Sequence, residues 1–385
     1  MPLRFPALYP LTDESRSESL EEQVARLAAA GCSLVQVRAK ALPADALLEQ
    51  LRRILTRARA EGGWPRIVLN DRADLAVLLA REGLIPWGLH LGQEDLPPSE
   101  ARALPGLEAL HLGTSTHGPD EWTGVDAACD HAGVGPFRAT ATKGDHAAPI
   151  GLDGLRKGCA LLRARGLAPI AIGGLTPEDA RDAFEAGAES LAMVGAVHGA
   201  ADLPGLAWDL QVARWRVRPP VTAGQGLVLL GSSGAGKSEL GRLLAQGLGL
   251  PHRDLDAVIE AREGAPVSEL FRLRGESAFR ELEGVVLPGL LTEPAVVSLG
   301  GGAWELPEVR AQVARSGFRP LWLAEPPRAC WQRVAGDGNR PLAQDEAAFL
   351  ARCAARTPAW SLAEPVSSFG RPVEALAQAL LNEVG

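Results

Sequence analysis

The run Leu227–Ser238, LVLLGSSGAGKS, has the residue types and spacing to hold a chain of phosphates. Four apolar residues lead into Gly231, and Gly234, Ala235, Gly236, Lys237 and Ser238 complete the pattern G-x-x-x-x-G-K-S. A strand, a glycine loop and a helix in that order are the context this pattern needs. Small residues let backbone N–H groups face a phosphate, and the helix N-terminus adds positive potential. Lys237 is placed to reach the β- and γ-phosphates of a bound nucleotide, and Ser238 to ligate Mg²⁺. Downstream, Asp254 and Asp256 stand two apart in RDLD. On an extended segment both would point the same way, one suited to Mg²⁺ and the other to a substrate hydroxyl. The competing reading is an acidic first helical turn, because AVIEAR follows. Gly300-Gly301-Gly302 follows an apolar run, and three glycines are costly there unless something approaches the backbone. Arg340, in NRPL after a Gly-Asp-Gly loop, reads as an arginine on a mobile lid. Arg280, in ESAFRELE, first reads as a helical arginine pairing with Glu276 or Glu283.

A second set of polar residues precedes this one. Short apolar runs at 7–11, 33–37, 66–69, 88–91, 109–112, 131–134, 169–172 and 190–194 alternate with amphipathic stretches such as 18–30, 44–60 and 177–186. Eight β-then-α units in about 215 residues predict a (β/α)8 barrel, whose chemistry sits on the loops after the strands. Polar or glycine residues follow seven consecutive strands there: Gln36, Arg38 and Lys40; Asn70 and Asp71; Asp95; Ser115; Thr140, Thr142 and Lys143; Gly173 and Gly174; Gly195. Asp71 and Asp95 on neighbouring strand ends suit Mg²⁺. Arg38, Lys40 and Lys143 suit a diphosphate, and the glycines after strands seven and eight suit a second phosphate.

The predicted fold class is therefore α/β: a barrel over residues 1–217, a linker over 218–225 containing Pro219-Pro220, and a P-loop domain with a parallel sheet over 226–385. The net charge of −8 gives no sign of a nucleic-acid surface. Five scattered cysteines without a C-x-x-C pair point away from zinc ribbons and disulfide frameworks. No signal peptide or transmembrane run is apparent, so a cytoplasmic protein without membrane partners is expected. The expected partners are small molecules, with a homo-oligomer possible. Only four lysines occur, Lys40, Lys143, Lys157 and Lys237, and three of them fall at proposed phosphate sites.

VQVRAK, LND, HLGQED, GTSTH, GVGPFRATATK, AIGGL and MVGAV resemble thiamine-phosphate synthase over nearly all of residues 7–200. The resemblance implies coupling of hydroxymethylpyrimidine diphosphate to thiazole phosphate with release of pyrophosphate. It implies Gln36, Arg38, Lys40, Asn70, Ser115 and Lys143 on the pyrimidine diphosphate, with Ser115 and Lys143 counted as catalytic. Asp71 and Asp95 would hold Mg²⁺, and Thr140, Thr142, Gly173, Gly174 and Gly195 would serve the thiazole phosphate. The chain departs from the family at Phe137-Arg138-Ala139 and at Gly195. A related thiazole tautomerase shares the barrel but lacks the Mg²⁺ pair and the T-x-T-K loop.

GSSGAGKS, DLDAVIE, FRELE, SLGGGA, NRPL and ARTPAW resemble shikimate kinase over roughly residues 226–365. That resemblance implies phosphorylation of the shikimate 3-hydroxyl, with Lys237, Asp256 and Arg340 catalytic. It places Gly231, Gly234, Ala235, Gly236, Lys237, Ser238 and Arg340 on ATP. Ser238 and Asp254 fall on Mg²⁺, and Asp256, Arg280, Gly301 and Arg356 on shikimate. Trp360 stands where the family has Tyr. The alternative is a tautomerase-like barrel joined to a shikimate-sensing domain; retention of the phosphoryl-transfer residues argues for two enzymes.

Overall fold

The structure is a computed structural model that describes residues 3–139, 148–336 and 345–384. Two compact units are present, residues 1–59 with 64–217, and residues 60–63 with 218–385.

The first unit contains eight strands: β1 (Leu8–Pro10), β2 (Leu34–Val37), β3 (Arg66–Asn70), β4 (Gly88–Leu91), β5 (His111–Thr116), β6 (His131–Val134), β7 (Ala168–Ile172) and β8 (Ser190–Met193). All pair in parallel, in the order β1-β8-β7-β6-β5-β4-β3-β2. A parallel bridge between Leu11 and Gln36 joins the two ends, so the sheet closes into a barrel. Nearly every strand residue is buried, as expected of a parallel sheet covered by helices. The helix Ala44–Ala60 shows how the cover works: Leu47, Leu51, Ile54, Leu55 and Ala58 recur at helical spacing and form its buried stripe. Phe5, Tyr9, Leu34, Val68 and Ile170 belong to an apolar cluster in this unit's core.

One strand differs from the sequence reading. β5 starts two residues later than the apolar run and continues to Thr116, so Ser115 lies in a strand rather than on the loop after it. The β-branched Thr114 and Thr116 are both buried and favour the extended form. The helix Leu203–Val217 also continues where apolar periodicity is lost. Leu210, Gln211, Arg214 and Trp215 are all buried on it, and Arg214 donates to the Phe5 carbonyl at 2.6 Å. A polar residue paid into the buried face in this way erases the stripe a pattern search looks for.

The second unit is built on β9 (Leu227–Leu230), β10 (His252–Asp254), β11 (Val296–Ser298), β12 (Arg319–Leu323) and β13 (Glu364–Val366). They form a parallel sheet in the order β10-β11-β9-β12-β13. β9 is central and fully buried, and its C-terminal end enters the glycine loop. The chain leaves β9 for β10 on one side of it and crosses from β11 to β12 on the other, and such a switch point opens a crevice at the strand ends.

Candidate active sites

At the C-terminal end of the barrel, three charged side chains from neighbouring loops meet. Lys40, after β2, places its Nζ 3.0 Å from Asp71 Oδ2, after β3. The Lys40 loop is pinned by Glu14, whose carboxylate accepts the backbone N–H groups of Lys40 and Ala41 at 2.8 Å each. Asp71 has φ 63°, a left-handed conformation uncommon outside glycine and least so for Asp and Asn. Its N–H donates to the His90 carbonyl at 2.8 Å, which ties the turn to β4. Asp95, after β4, accepts the Gly92 N–H at 2.7 Å. Burial pushes the Asp95 carboxyl above its ordinary value and neighbouring Asp71 adds to this, while Lys40 opposes. Two carboxylates crowded in this way, with one lysine between charges, fit a hard cation that keeps part of its water shell. Among the described residues no group of three or more His, Cys, Asp or Glu side chains gathers as a metal site, so any such ion would rely on this pair and on ligand oxygens.

A cavity of about 580 Å³ opens at the same end of the barrel, with Arg38, Ser115, His117, Gly173, Gly174 and Gly195 in its lining. Arg38 is held by two bonds with Thr12, its N–H donating to Oγ1 at 2.9 Å and its carbonyl accepting from Oγ1 at 3.1 Å. Gly173 (φ 96°) turns where a Cβ would stand 2.6 Å from Pro136, so only glycine fits. Gly195 has open space where a Cβ would be. Gln36 and Asn70 are buried; Gln36 donates to the Tyr9 hydroxyl at 3.2 Å. Thr140, Thr142 and Lys143 lie outside the described residues. Arg138, at one departure from the family pattern, is engaged by Asp179 through two bonds of 2.5 Å.

Three histidines stand here, of which only His117, in the GTSTH run, figured in the sequence reading as a strand-end residue. His117 meets Glu121 at 3.1 Å and lines the cavity. His90 Nε2 is 3.0 Å from Ser115 Oγ, and His90 Nδ1 is 3.3 Å from His131 Nε2. A histidine inside a short apolar strand was the available signal for the last two.

In the second unit the glycine loop curls as its composition requires. Gly231, Gly234 and Gly236 have φ of 137°, 79° and 97°. A Cβ on Gly234 would stand 2.1 Å from the Cys330 carbonyl oxygen. Ala235 is buried within the loop. Lys237 begins the helix Lys237–Leu248 and folds its Nζ back onto the carbonyls of Gly231 and Ser232, at 3.1 and 2.9 Å. Ser238 donates to Asp254 Oδ2 at 2.8 Å. This hydroxyl–carboxylate pair is a suitable donor set for Mg²⁺.

The extended-segment geometry of RDLD is corrected by the structure. β10 ends at Asp254, which caps the helix Leu255–Glu263, and Asp256 lies in the first turn. Asp254 Oδ1 accepts the N–H groups of Asp256 and Ala257, as an Asp at an N-cap does. Its other oxygen remains with Ser238, so capping and the hydroxyl contact are compatible.

Lys237, Ser238, Asp254, Asp256, Arg280 and Arg356 line one cavity of about 580 Å³. Arg280 does pair with Glu276 and Glu283, at 2.7 Å each, but it is a largely buried residue rather than a surface one. Arg356 pairs with Glu305 at 2.8 Å. The three glycines now have a physical reason. A Cβ on Gly300 would stand 2.5 Å from Glu283 Oε1 and 2.7 Å from Asp256 Oδ1. One on Gly302 would stand 2.3 Å from Arg280 Nη2 and 2.8 Å from Arg356 Nη2. Gly300 thus makes room for carboxylates and Gly302 for guanidinium groups, while Gly301 sits 3.4 Å from Arg356 by the same measure. Glu283 was seen in the sequence only as a surface partner. Its side chain is fully buried, and burial pushes its carboxyl up to about 7 despite the Arg280 charge. Trp360 is buried and faces Trp322, with ring centroids 6.2 Å apart. Arg340 lies outside the described residues. Among the described residues no helix is long and apolar enough to cross a membrane.

Comparison with known proteins follows the same division. Residues 8–197 match the family model for thiamine monophosphate synthase, and residues 233–376 match that for shikimate kinase. The thiamine-phosphate synthase of Moorella thermoacetica is 40% identical over 192 residues, covering 49% of this chain and 86% of that protein. Among solved structures, a thiamine phosphate pyrophosphorylase from Pyrococcus furiosus is 26% identical with a TM-score of 0.46, covering 55% of this chain and 97% of that one. A shikimate kinase from Acinetobacter baumannii in complex with shikimate is 32% identical with a TM-score of 0.39, covering 42% and 92%.

Proposed function

We propose two reactions on one premise: the chain belongs to the thiamine-phosphate synthase family through its first unit and carries a shikimate kinase domain in its second. Both are transferase families. In the barrel, hydroxymethylpyrimidine diphosphate is joined to thiazole phosphate. The bond from the pyrimidine methylene to the diphosphate breaks, the thiazole nitrogen bonds to that carbon, and pyrophosphate leaves. Arg38, Lys40, Ser115 and Lys143 bind the diphosphate, and Gln36 and Asn70 orient the pyrimidine. Thr140, Thr142, Gly173, Gly174 and Gly195 bind the thiazole phosphate. Asp71 and Asp95 would hold Mg²⁺, which would offset charge on the leaving group. The observation that carries this reading is the meeting of Lys40 with Asp71 and Asp95 at the mouth of the barrel.

In the second unit the γ-phosphoryl group of ATP passes to the 3-hydroxyl of shikimate. Arg280 and Arg356 bind the shikimate carboxylate, a geometry suited to forked donors, with Gly301 beside them. Asp256 accepts the hydroxyl proton as its oxygen bonds to phosphorus. Lys237, Arg340 and the loop from Gly231 to Gly236, including Gly234 and Ala235, hold the phosphates. Ser238 and Asp254 would hold Mg²⁺. The carrying observation is that two guanidinium groups converge over Gly302 in the cavity that also contains Lys237 and Ser238. The test is turnover by the purified chain with Mg²⁺. We expect pyrophosphate release only when both thiamine precursors are present, and ADP formation that depends on shikimate. Absence of either activity removes the corresponding reading.

A further inference from the structure

His90, Ser115 and His131 stand on the adjacent strands β4, β5 and β6 and form one hydrogen-bonded line in the barrel. His131 is fully buried. Its ring lies against Phe5, 4.9 Å between centroids, and Tyr9, 6.2 Å. The space it occupies is cleared by Gly113, its register partner on β5, where a Cβ would stand 2.1 Å from both Cε1 and Nε2 of the imidazole. This is a site shaped around one ring. It is not part of the cavity lining, whereas Ser115 is.

We propose that His131 is a positioning residue of the barrel site: acting through His90, it makes the Ser115 hydroxyl donate into the cavity, towards the diphosphate. This rests on the assignment of Ser115 to the diphosphate substrate.

The argument is one of proton counting. Burial holds His131 well below the ordinary histidine value, so the ring is neutral and carries one N–H. Its Nδ1 has no hydrogen-bond partner among the described residues. A proton on Nδ1 would be a buried donor without an acceptor, the rarer and costlier arrangement. With the proton on Nε2 instead, His131 donates to His90 Nδ1. His90 Nδ1, as the acceptor, then carries no proton, so the ring's proton sits on Nε2, where it donates to Ser115 Oγ. The Ser115 oxygen is thereby used as an acceptor, and its own hydrogen is free to turn to an anionic oxygen in the cavity. The reverse direction would point the Ser115 hydrogen at His90 and leave oxygen lone pairs facing the anion.

The test combines two variants with one spectrum of the full chain. His131→Phe keeps the ring volume and removes the N–H. His131→Gln can return an N–H near the position of Nε2. We expect His131→Phe to raise KM for the pyrimidine diphosphate about tenfold, the size of one lost hydrogen bond, and to leave KM for thiazole phosphate within about twofold. His131→Gln should recover most of the loss. Nitrogen-15 spectra of the histidine-labelled wild type should show His90 neutral and protonated at Nε2. Unchanged KM values in His131→Phe, a Gln variant no better than Phe, or a His90 proton on Nδ1 would each overturn the proposal. If His131→Phe does not fold, the wild-type spectrum decides. A wild type that releases no pyrophosphate would remove the reaction reading instead, and the His90 tautomer would still test the relay.

Discussion

The two candidate sites are built from different materials. The barrel site takes its charged groups one at a time from separate strand ends: Lys40 after β2, Asp71 after β3, Asp95 after β4. The second site relies on backbone shape, with a glycine loop at one end and Gly300 to Gly302 at the other, and it holds its arginines in ready-made ion pairs. Exposure sharpens the contrast. The Lys40–Asp71 pair is 49% and 16% exposed, so ligands of opposite sign can take over both partners. Arg280 and Glu283 are 14% and 0% exposed, so that pair stays together while substrate binds. A site can therefore be kept neutral at rest either by a pair that exchanges or by a pair that persists, and variants should tell the two apart.

The largest effect is expected at Arg280. Arg280→Leu removes the cation beside a buried carboxylate, a class of change that costs about 3–5 kcal/mol. The lower end is expected, because Glu283 can take up a proton. Hydrogen exchange over 276–290 should report this, together with loss of shikimate binding.

Glu283 comes next. Its folded value of about 7 lies above the ordinary 4.5, so the fold favours the protonated form. That contribution is complete below pH 4.5 and is lost as pH rises through about 7, a change of about 3 kcal/mol. Exchange protection over 276–290 should fall across this window in the wild type and stay level in Glu283→Gln. The persistent-pair account fails if both proteins show the same slope.

At the exchanging pair, Lys40→Ala should raise KM for the pyrimidine diphosphate about tenfold or more through loss of a charge-assisted bond. Stability should change little, since partly exposed ion pairs contribute about 0–1 kcal/mol. The smallest effect is expected at Gly302→Ala. The new methyl group meets the far ends of Arg280 and Arg356, which can shift, so KM for shikimate should rise several-fold, about 1 kcal/mol or less.

The barrel and its strand order of eight parallel units were legible because each strand is a short apolar run between amphipathic helices, and β4 and β6 have the expected bounds. β10 and β13 were not. Each has three residues, too few to show a period, and HRD and EPV owe their extended form to pairing with β11 and β12. Of the proposed site residues, those on loops stand out because their chemistry is conspicuous in sequence. The role of Glu283 was hidden because a glutamate three residues from an arginine looks the same on a wet face and a dry one. Burial was decided by Gly300, seventeen residues later, whose missing side chain admits the carboxylate. His131 was hidden for the same reason, since Gly113 provides its space from another strand.

The central claim is that one chain carries two catalytic units, each complete in itself. It is tested most directly by measuring pyrophosphate release and shikimate-dependent ADP formation on the same preparations of wild type, Asp71→Ala and Lys237→Ala. The prediction is that Asp71→Ala loses about a hundredfold or more of pyrophosphate release and keeps phosphorylation, while Lys237→Ala shows the converse. A variant that loses both activities, or that loses neither, would contradict it.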